Sequence, residues 1–358
     1  MARRPPDPRP ALPLLSEREE DVLRRVVQHF IDTASPVGSK ALAEAVELSS
    51  ASVRSTMRDL EDAGYLGHPH TSAGRVPTEQ GYRAYVDSLM DVSGLSGREA
   101  TLLRESVRRR LGDLDAVARD TSRLLGRLSQ LLGVVLTPRL ASGILDRIEV
   151  VPLAASRALF VLALRGGLAR TVTAEVDVDI QPDAVGGIVQ RLNERLAGLS
   201  LDEIRRTGSE RVQDLAEDDR TGIVRVVLRE GPALFREDAG RRASIGGAQH
   251  LVSQPEFNRP ELVRDVVELA ESEEVVIHLL ERPALLDGDP DRALVLIGRE
   301  VEHAPSEEGP AFSIVTAPYR LGDAVGAVAV IGPTRMDYAR AVVLVEHVAG
   351  LLGDPPGD

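Results

Sequence analysis

Residues 35–85, SPVGSKALAEAVELSSASVRSTMRDLEDAGYLGHPHTSAGRVPTEQGYRAY, constrain this chain more than any other stretch. Gly38 and Ser39 open a short helix in which the Ser39 hydroxyl can accept a bond from a free amide one turn on. Leu42, Ala43 and Val46 then share one face. Ser49 and Ser50 restart the chain in the same way, so two helices are joined by a short turn around Leu48.

In the second of these helices Val53, Met57 and Leu60 recur at spacings of four and three and form the core face. Ala51, Ser55 and Arg58 lie opposite, with Arg54 on the flank. Small residues let a helix sit deep in a major groove, Arg can donate two bonds to guanine, and Ser is tolerant of either base. Gly64 ends the helix as a left-handed cap would. Residues 65–69 and 75–78 read as two short strands around Thr71-Ser72-Ala73-Gly74. The order is that of a winged helix-turn-helix, expected over 16–92. The candidate DNA contacts are Lys40, Ser50, Arg54, Ser55 and Arg58, with His70, Thr71, Ser72 and Arg75 at the tip of the hairpin, positioned for phosphate.

Over residues 1–92, eleven Lys and Arg stand against fourteen Asp and Glu, so this segment is slightly acidic. Such a reader works only if Lys40, Arg54, Arg58, Arg75 and Arg83 cluster on one face, and it depends more on base contacts than a basic domain does. Lys40 is the sole lysine. Arginine is therefore the chain's default cation, and its presence alone does not signal bidentate chemistry.

The 358 residues carry a net charge of -13, which suggests two or three domains and no general affinity for polyanions or acidic membranes. There are no cysteines, so no disulfide framework, thiol nucleophile or thiolate metal site exists, and a reducing cytoplasm is the expected compartment. No apolar run approaches about twenty residues, and MARRPPDPRPALP lacks the apolar core of a signal peptide; no membrane partner is expected. Without His-Glu-x-x-His, Gly-x-Ser-x-Gly or a P-loop, the chain reads as a non-enzyme with no cofactor and no metal.

Residues 1–15, rich in Pro and Arg, read as a disordered arm. Ser16-Glu17-Arg18-Glu19 is a capping box that starts a support helix carrying Val22, Leu23, Val26, Val27, Phe30 and Ile31. Thr78 caps another helix leading out of the hairpin. Residues 93–135 read as a helical linker. There Leu114, Val117, Thr121, Leu124, Leu128 and Leu131 form a seam that can pair with a second helix or pack on its own domain. Strands are expected at 147–152, 158–165 and 169–178 with a helix at 183–196, then at 293–298, 312–318 and 326–332 with a helix at 337–352. Residues 201–238 and 260–282 read as helical. This pattern predicts an α+β multidomain protein. One mixed α/β domain, 136–200 and 285–353, is split by a largely helical insertion, 201–284, that buries its apolar face against a second copy. Residues 354–358 form a tail.

The segments SSASVRSTMRDLEDAGYLGHPHTSAGRVPTEQGYRAYVDSL, IGGAQHLVSQPEF and DAVGAVAVIGPTRMDYARAV strongly resemble the HrcA family of heat-inducible transcription repressors. The resemblance spans nearly the whole chain. It implies a homodimer with a winged-helix reader, a GAF-like domain and a dimerising domain inserted between the GAF halves. It implies binding to an inverted repeat called CIRCE upstream of chaperone operons, and dependence on the GroE chaperonin for the active form. Ser52, Val53, Arg54 and Met57 match the family's recognition helix, which adds Ser52 to the candidate contacts, and residues 70–75 match its wing. Ser55 departs from the pattern, where Asn is usual, and the segment 297–301 lacks the Asn common after Glu300. A second reading is a winged-helix repressor gated by a small molecule in the GAF-like domain.

Overall fold

The computed structural model describes residues 15–354 apart from 45, 70–73, 109–113, 139–142, 155, 167–168, 177–181, 236–242, 259, 287–288, 290–291 and 302–311. Ser16 starts α1 (Glu17–Thr33) with a reciprocal cap: its hydroxyl accepts from Glu19 N while the Glu19 carboxylate accepts from Ser16 N at 2.7 Å. Val22, Leu23, Val26 and Val27 of α1 are fully buried. They pack on α2 (Ser39–Ala43) and α3 (Ser50–Asp62), which are joined by a tight turn. A two-stranded hairpin follows, β1 (Leu66–Gly67) with β2 (Val76–Pro77), and Thr78 caps α4 (Glu79–Ala84) by accepting from Gly81 N. A single π-helical turn, Tyr85–Leu89, ends this first unit.

Next come α5 (Gly97–Arg108) and α6 (Leu114–Ser129). The seam on α6 is spent within the chain: Val117 and Thr121 are buried, and the helix lies on β3 (Leu132–Leu136) and on a later strand, Ala243–Gly246. The expected linker therefore belongs to the domain it was to lead into. Amphipathic helices need an apolar surface, and the nearest one is the sheet that follows.

The next strands, β4 (Leu145–Ala154), β5 (Arg157–Leu164) and β6 (Ala169–Glu175), form an antiparallel sheet of their own, in that order. Its inner face, with Ile148, Phe160, Leu162 and Ala174, is covered by α7 (Pro182–Leu196) and α9 (Ile223–Leu234), with α8 (Leu201–Val212) packed alongside.

The chain then returns through β7 (Ala243–Gly246), α10 (Ala248–Val252), α11 (Pro260–Glu271), α12 (Glu273–Leu280) and α13 (Pro283–Leu286) to β8 (Leu294–Ile297), β9 (Phe312–Leu321), β10 (Ala324–Pro333) and α14 (Tyr338–Gly353). Five strands make the second antiparallel sheet in the order β7-β3-β10-β9-β8. The hydrogen-bonded sheets thus break the chain elsewhere than at 201 and 284. Among the described residues the strands at 145–175 pair only with one another. The sheet containing β8, β9 and β10 instead recruits β3 and β7, with Leu132 opposite Ile331 and Val135 opposite Ser244. The strands of the inserted unit are apolar enough to have been read as part of the parent sheet, and only the pairing separates them.

The first unit is fastened to this larger sheet. Tyr82 of α4 and Tyr338 of α14 hold their rings 5.8 Å apart, and Arg83 Nη2 donates to Val295 O at 2.8 Å.

Candidate nucleic-acid interface

Local sequence fixes α3 at both ends. Ser49 is its N-cap, the hydroxyl accepting from Ser52 N at 3.1 Å. At the other end Gly64 takes a φ of +85°, Tyr65 N bonds Leu60 O and Gly64 N bonds Glu61 O, both at 2.9 Å. This is the paired closure in which a left-handed residue satisfies the last carbonyls. Gly38, not Ser39, caps α2, without a side-chain bond. The Ser39 hydroxyl instead lies 3.1 Å from that of Ser50, tying the start of α2 to the start of α3.

Val53, Met57 and Leu60 face the core, joined by Thr56, which donates to Ser52 O at 3.3 Å. Ala51, Arg54, Ser55 and Arg58 are exposed on the other side, and Lys40 is exposed on α2. Neither Arg54 nor Arg58 forms an ion pair with a described residue. The helix thus presents two guanidinium groups and a hydroxyl whose donors are not spent on any described residue, and the small Ala51 and Ser55 leave the backbone approachable.

Three expectations change. Ser52 is half-buried and already engaged: the Arg18 guanidinium, 34 positions earlier, bonds to its hydroxyl and to its carbonyl, the latter at 3.0 Å. Arg18 is a cation at the start of α3 that helical spacing could not reveal, because the contact crosses from α1. Arg75 is not free either. Its Nη2 lies 2.6 Å from Glu61 Oε2, and its Nη1 donates to His68 Nδ1 at 2.9 Å. The expected cation cluster therefore loses Arg75 to Glu61, which stands in the last turn of α3. Arg83, the fifth expected member, is buried against Glu300. His70, Thr71 and Ser72 lie outside the described residues.

The base of the hairpin is held by its main chain. Val37 and Arg75 exchange backbone bonds of 2.8 and 2.9 Å. This close approach requires Gly74, since a Cβ there would stand 2.3 Å from Val37 O. Thr78 then clamps the hairpin to α3, its hydroxyl donating to Gly64 O at 2.7 Å.

Among the described residues no group of His, Asp and Glu could hold a metal ion, and no helix is long and apolar enough to cross a membrane. An open cleft of about 700 Å³ lies between α5, α6 and β7. Its wall mixes Glu105 and Asp120 with Arg123 and Arg127, so its charge selects neither anions nor cations.

The family profile described as HrcA protein C terminal domain matches residues 115–342. A protein of Chlorobium phaeobacteroides (strain BS1) named heat-inducible transcription repressor HrcA is 37% identical over 347 residues, covering 94% of this chain and 97% of the relative. One of the same name from Prosthecochloris aestuarii (strain DSM 271 / SK 413) is 38% identical over 351 residues, covering 94% and 96%. A solved crystal structure of a hypothetical protein shares the fold with a TM-score of 0.63 at 22% identity, covering 95% of this chain and 98% of that one.

Proposed function

Because this chain belongs to the HrcA family of heat-inducible transcription repressors, we propose that it is a dimeric repressor of chaperone operons that reads an inverted repeat through α3. Residues 16–92 act as a winged helix-turn-helix, and α3 enters the major groove. The observation that carries this reading is the division of α3 into a face buried by Val53, Met57 and Leu60 and an exposed face of Ala51, Arg54, Ser55 and Arg58. In this role Arg54, Ser55 and Arg58 meet base edges, while Lys40 and Ser50 approach the backbone. Arg75 serves the hairpin instead, as a strut to Glu61.

One helix contacts only a few base pairs, so competition with a genome of nonspecific sites calls for two readers on symmetric half-sites. The outer face of the three-stranded sheet supports a second copy. Val151 and Leu153 on the edge strand β4 are 45% and 55% exposed, large apolar side chains on one face with half-buried Leu159 and Val161 beside them. A self-complementary contact there brings two chains together about a twofold axis. The five-stranded sheet with α6 and α14 is the GAF-like domain in this reading.

The chaperonin dependence rests on topology. β3 must wait for β10 and β7 to be made before it is paired, so folding is non-local and slow, and unpaired edges invite aggregation. When heat-damaged proteins occupy the cytoplasmic GroE chaperonin, less repressor matures and the operons open. The function is tested by gel-shift titration at fixed salt on DNA from upstream of chaperone operons, with refolding carried out with and without chaperonin. Tight binding of an inverted repeat, recovered better with chaperonin, is expected. No preference for such DNA over random duplex would remove the reading.

A further inference from the structure

The sequence singled out IGPTRMDY at 331–338 and the unusual segment 297–301, and the DNA-reading role of α3 uses neither. Both lie where the first unit meets the five-stranded sheet. Arg83 of α4 is 8% exposed, and each of its three nitrogens is bonded. Nε donates to Glu300 Oε1 at 3.1 Å, Nη2 reaches both Glu300 Oε2 and Val295 O, and Nη1 pairs with Asp87 at 3.2 Å. Glu300 is aimed by a bond from Ile297 N at 2.9 Å. Gly298 takes a φ of +55° beside it, where a Cβ would collide with the Glu79 side chain of α4.

The second fastening is Arg335. Its Nη1 caps Ile31 O in the last turn of α1, Nη2 bonds Gln254 Oε1 at 3.0 Å, and Nε bonds Glu256 Oε1 at 2.5 Å. Between the two arginines lies the Tyr82–Tyr338 ring contact, with the Tyr338 hydroxyl donating to Thr334 O at 2.7 Å.

Both fastenings lead to α3 by short rigid routes. From Arg83 the path runs along α4 to Thr78, whose hydroxyl bonds the carbonyls of Gly64 and Tyr65 just beyond the end of α3. From Arg335 it runs along α1 to Arg18, which grips Ser52 in the first turn of α3. One arginine therefore holds each end of the reading helix relative to the sheet. Forked guanidinium bonds fix direction as well as distance, which a point charge would not do.

We propose that Arg83 and Arg335 are positioning residues that set the angle of α3 against the sheet domain, and so decide which half-site spacing the protein accepts. The inference rests on the proposed reading of DNA by α3. In a dimer, the separation of two reading helices is fixed only if each reader is fixed to its own dimerising body, and these two side chains supply that fixity.

The test compares wild type with Arg83→Ala/Arg335→Ala on duplexes carrying one half-site, the natural repeat, and repeats whose spacer is longer by half a helical turn, about 5 base pairs. Wild type is expected to prefer the natural spacing at least about tenfold. The double variant should bind a single half-site as wild type does yet separate the spacings by less than about threefold. Arg83→Ala alone, which leaves the Arg335 fastening in place, should keep part of the preference. Because the chain has no cysteines, spin labels at Asp59→Cys and Arg320→Cys, diluted with unlabelled protein, report the angle independently of DNA. Their distance distribution should be narrow in wild type and broad in the double variant. Unchanged spacing preference and an unchanged distribution would overturn the proposal. So would a loss of half-site binding equal to the loss on the full repeat. Wild type that binds none of the duplexes would instead overturn the reading of α3 itself, while the spin-label distances would still judge the fastening.

Discussion

Arg75 and Glu61 form a 2.6 Å ion pair that joins the residue just before β2 to the last turn of α3. Their side chains are only 19% and 26% exposed, so water screens the pair poorly. The pair stiffens the first unit, and His68, bonded to both partners, completes it. Arg75→Ala is therefore expected to destabilise the protein by about 1.5–3 kcal/mol, the cost of losing a charged bond and leaving Glu61 behind. Denaturant melts check the stability, and base preference on operator variants should stay unchanged.

Arg58→Ala should behave in the opposite way. The side chain is exposed and makes no ion pair with a described residue, so unfolding should shift by less than about 0.5 kcal/mol. Operator affinity should fall by about 1–3 kcal/mol, with specificity relaxed at one position of each half-site. Titration against a set of single-base operator variants reads both effects.

Ser55→Asn tests the one position on the exposed face of α3 that departs from the pattern resembled. Ser55 is exposed one turn from Ala51. Asn can make two bonds to adenine where Ser makes one to any base, so the variant should gain about 1–3 kcal/mol of preference for adenine at a single half-site position. Selection of bound duplexes from a randomised pool measures this directly.

The first unit was legible because its signals are local. Caps at Ser16, Ser49 and Thr78, the Gly64 stop and the Val53-Met57-Leu60 stripe each act within a turn or two of chain. What the sequence concealed is non-local. Leu132-Gly133-Val134-Val135-Leu136 is buried at every position and so shows no alternation, and β3 passed as the end of a helical segment. β7 has four residues, and nothing in them announces that they pair with β3. The boundaries of the inserted unit followed the wrong partners for that reason. At the interface, Arg18 on Ser52 and Arg75 on Glu61 are tertiary bonds, which no helical period could assign.

Glu99 supplies a pH test of how α5 is anchored. Its carboxylate is held down to about 2 by bonds from Arg340 on α14 and from the Ser96 hydroxyl and amide. A carboxyl depressed below its ordinary value of 4.5 contributes stability that is complete above that value and fades as pH falls through about 2. Wild type should therefore melt above Glu99→Gln at neutral pH, and the gap should close between about pH 4.5 and 2. Thermal melts of the two proteins across that range provide the check.

The most direct measurement of the central claim is a hydroxyl-radical footprint of the full-length protein on an inverted repeat from upstream of a chaperone operon, run beside Arg54→Ala/Arg58→Ala. Two symmetric protected patches are predicted, their centres a whole number of helical turns apart at about 10 base pairs per turn, and the folded double variant should lose both. Protection that survives removal of the two arginines, or folded wild type that protects no inverted repeat, would contradict the account.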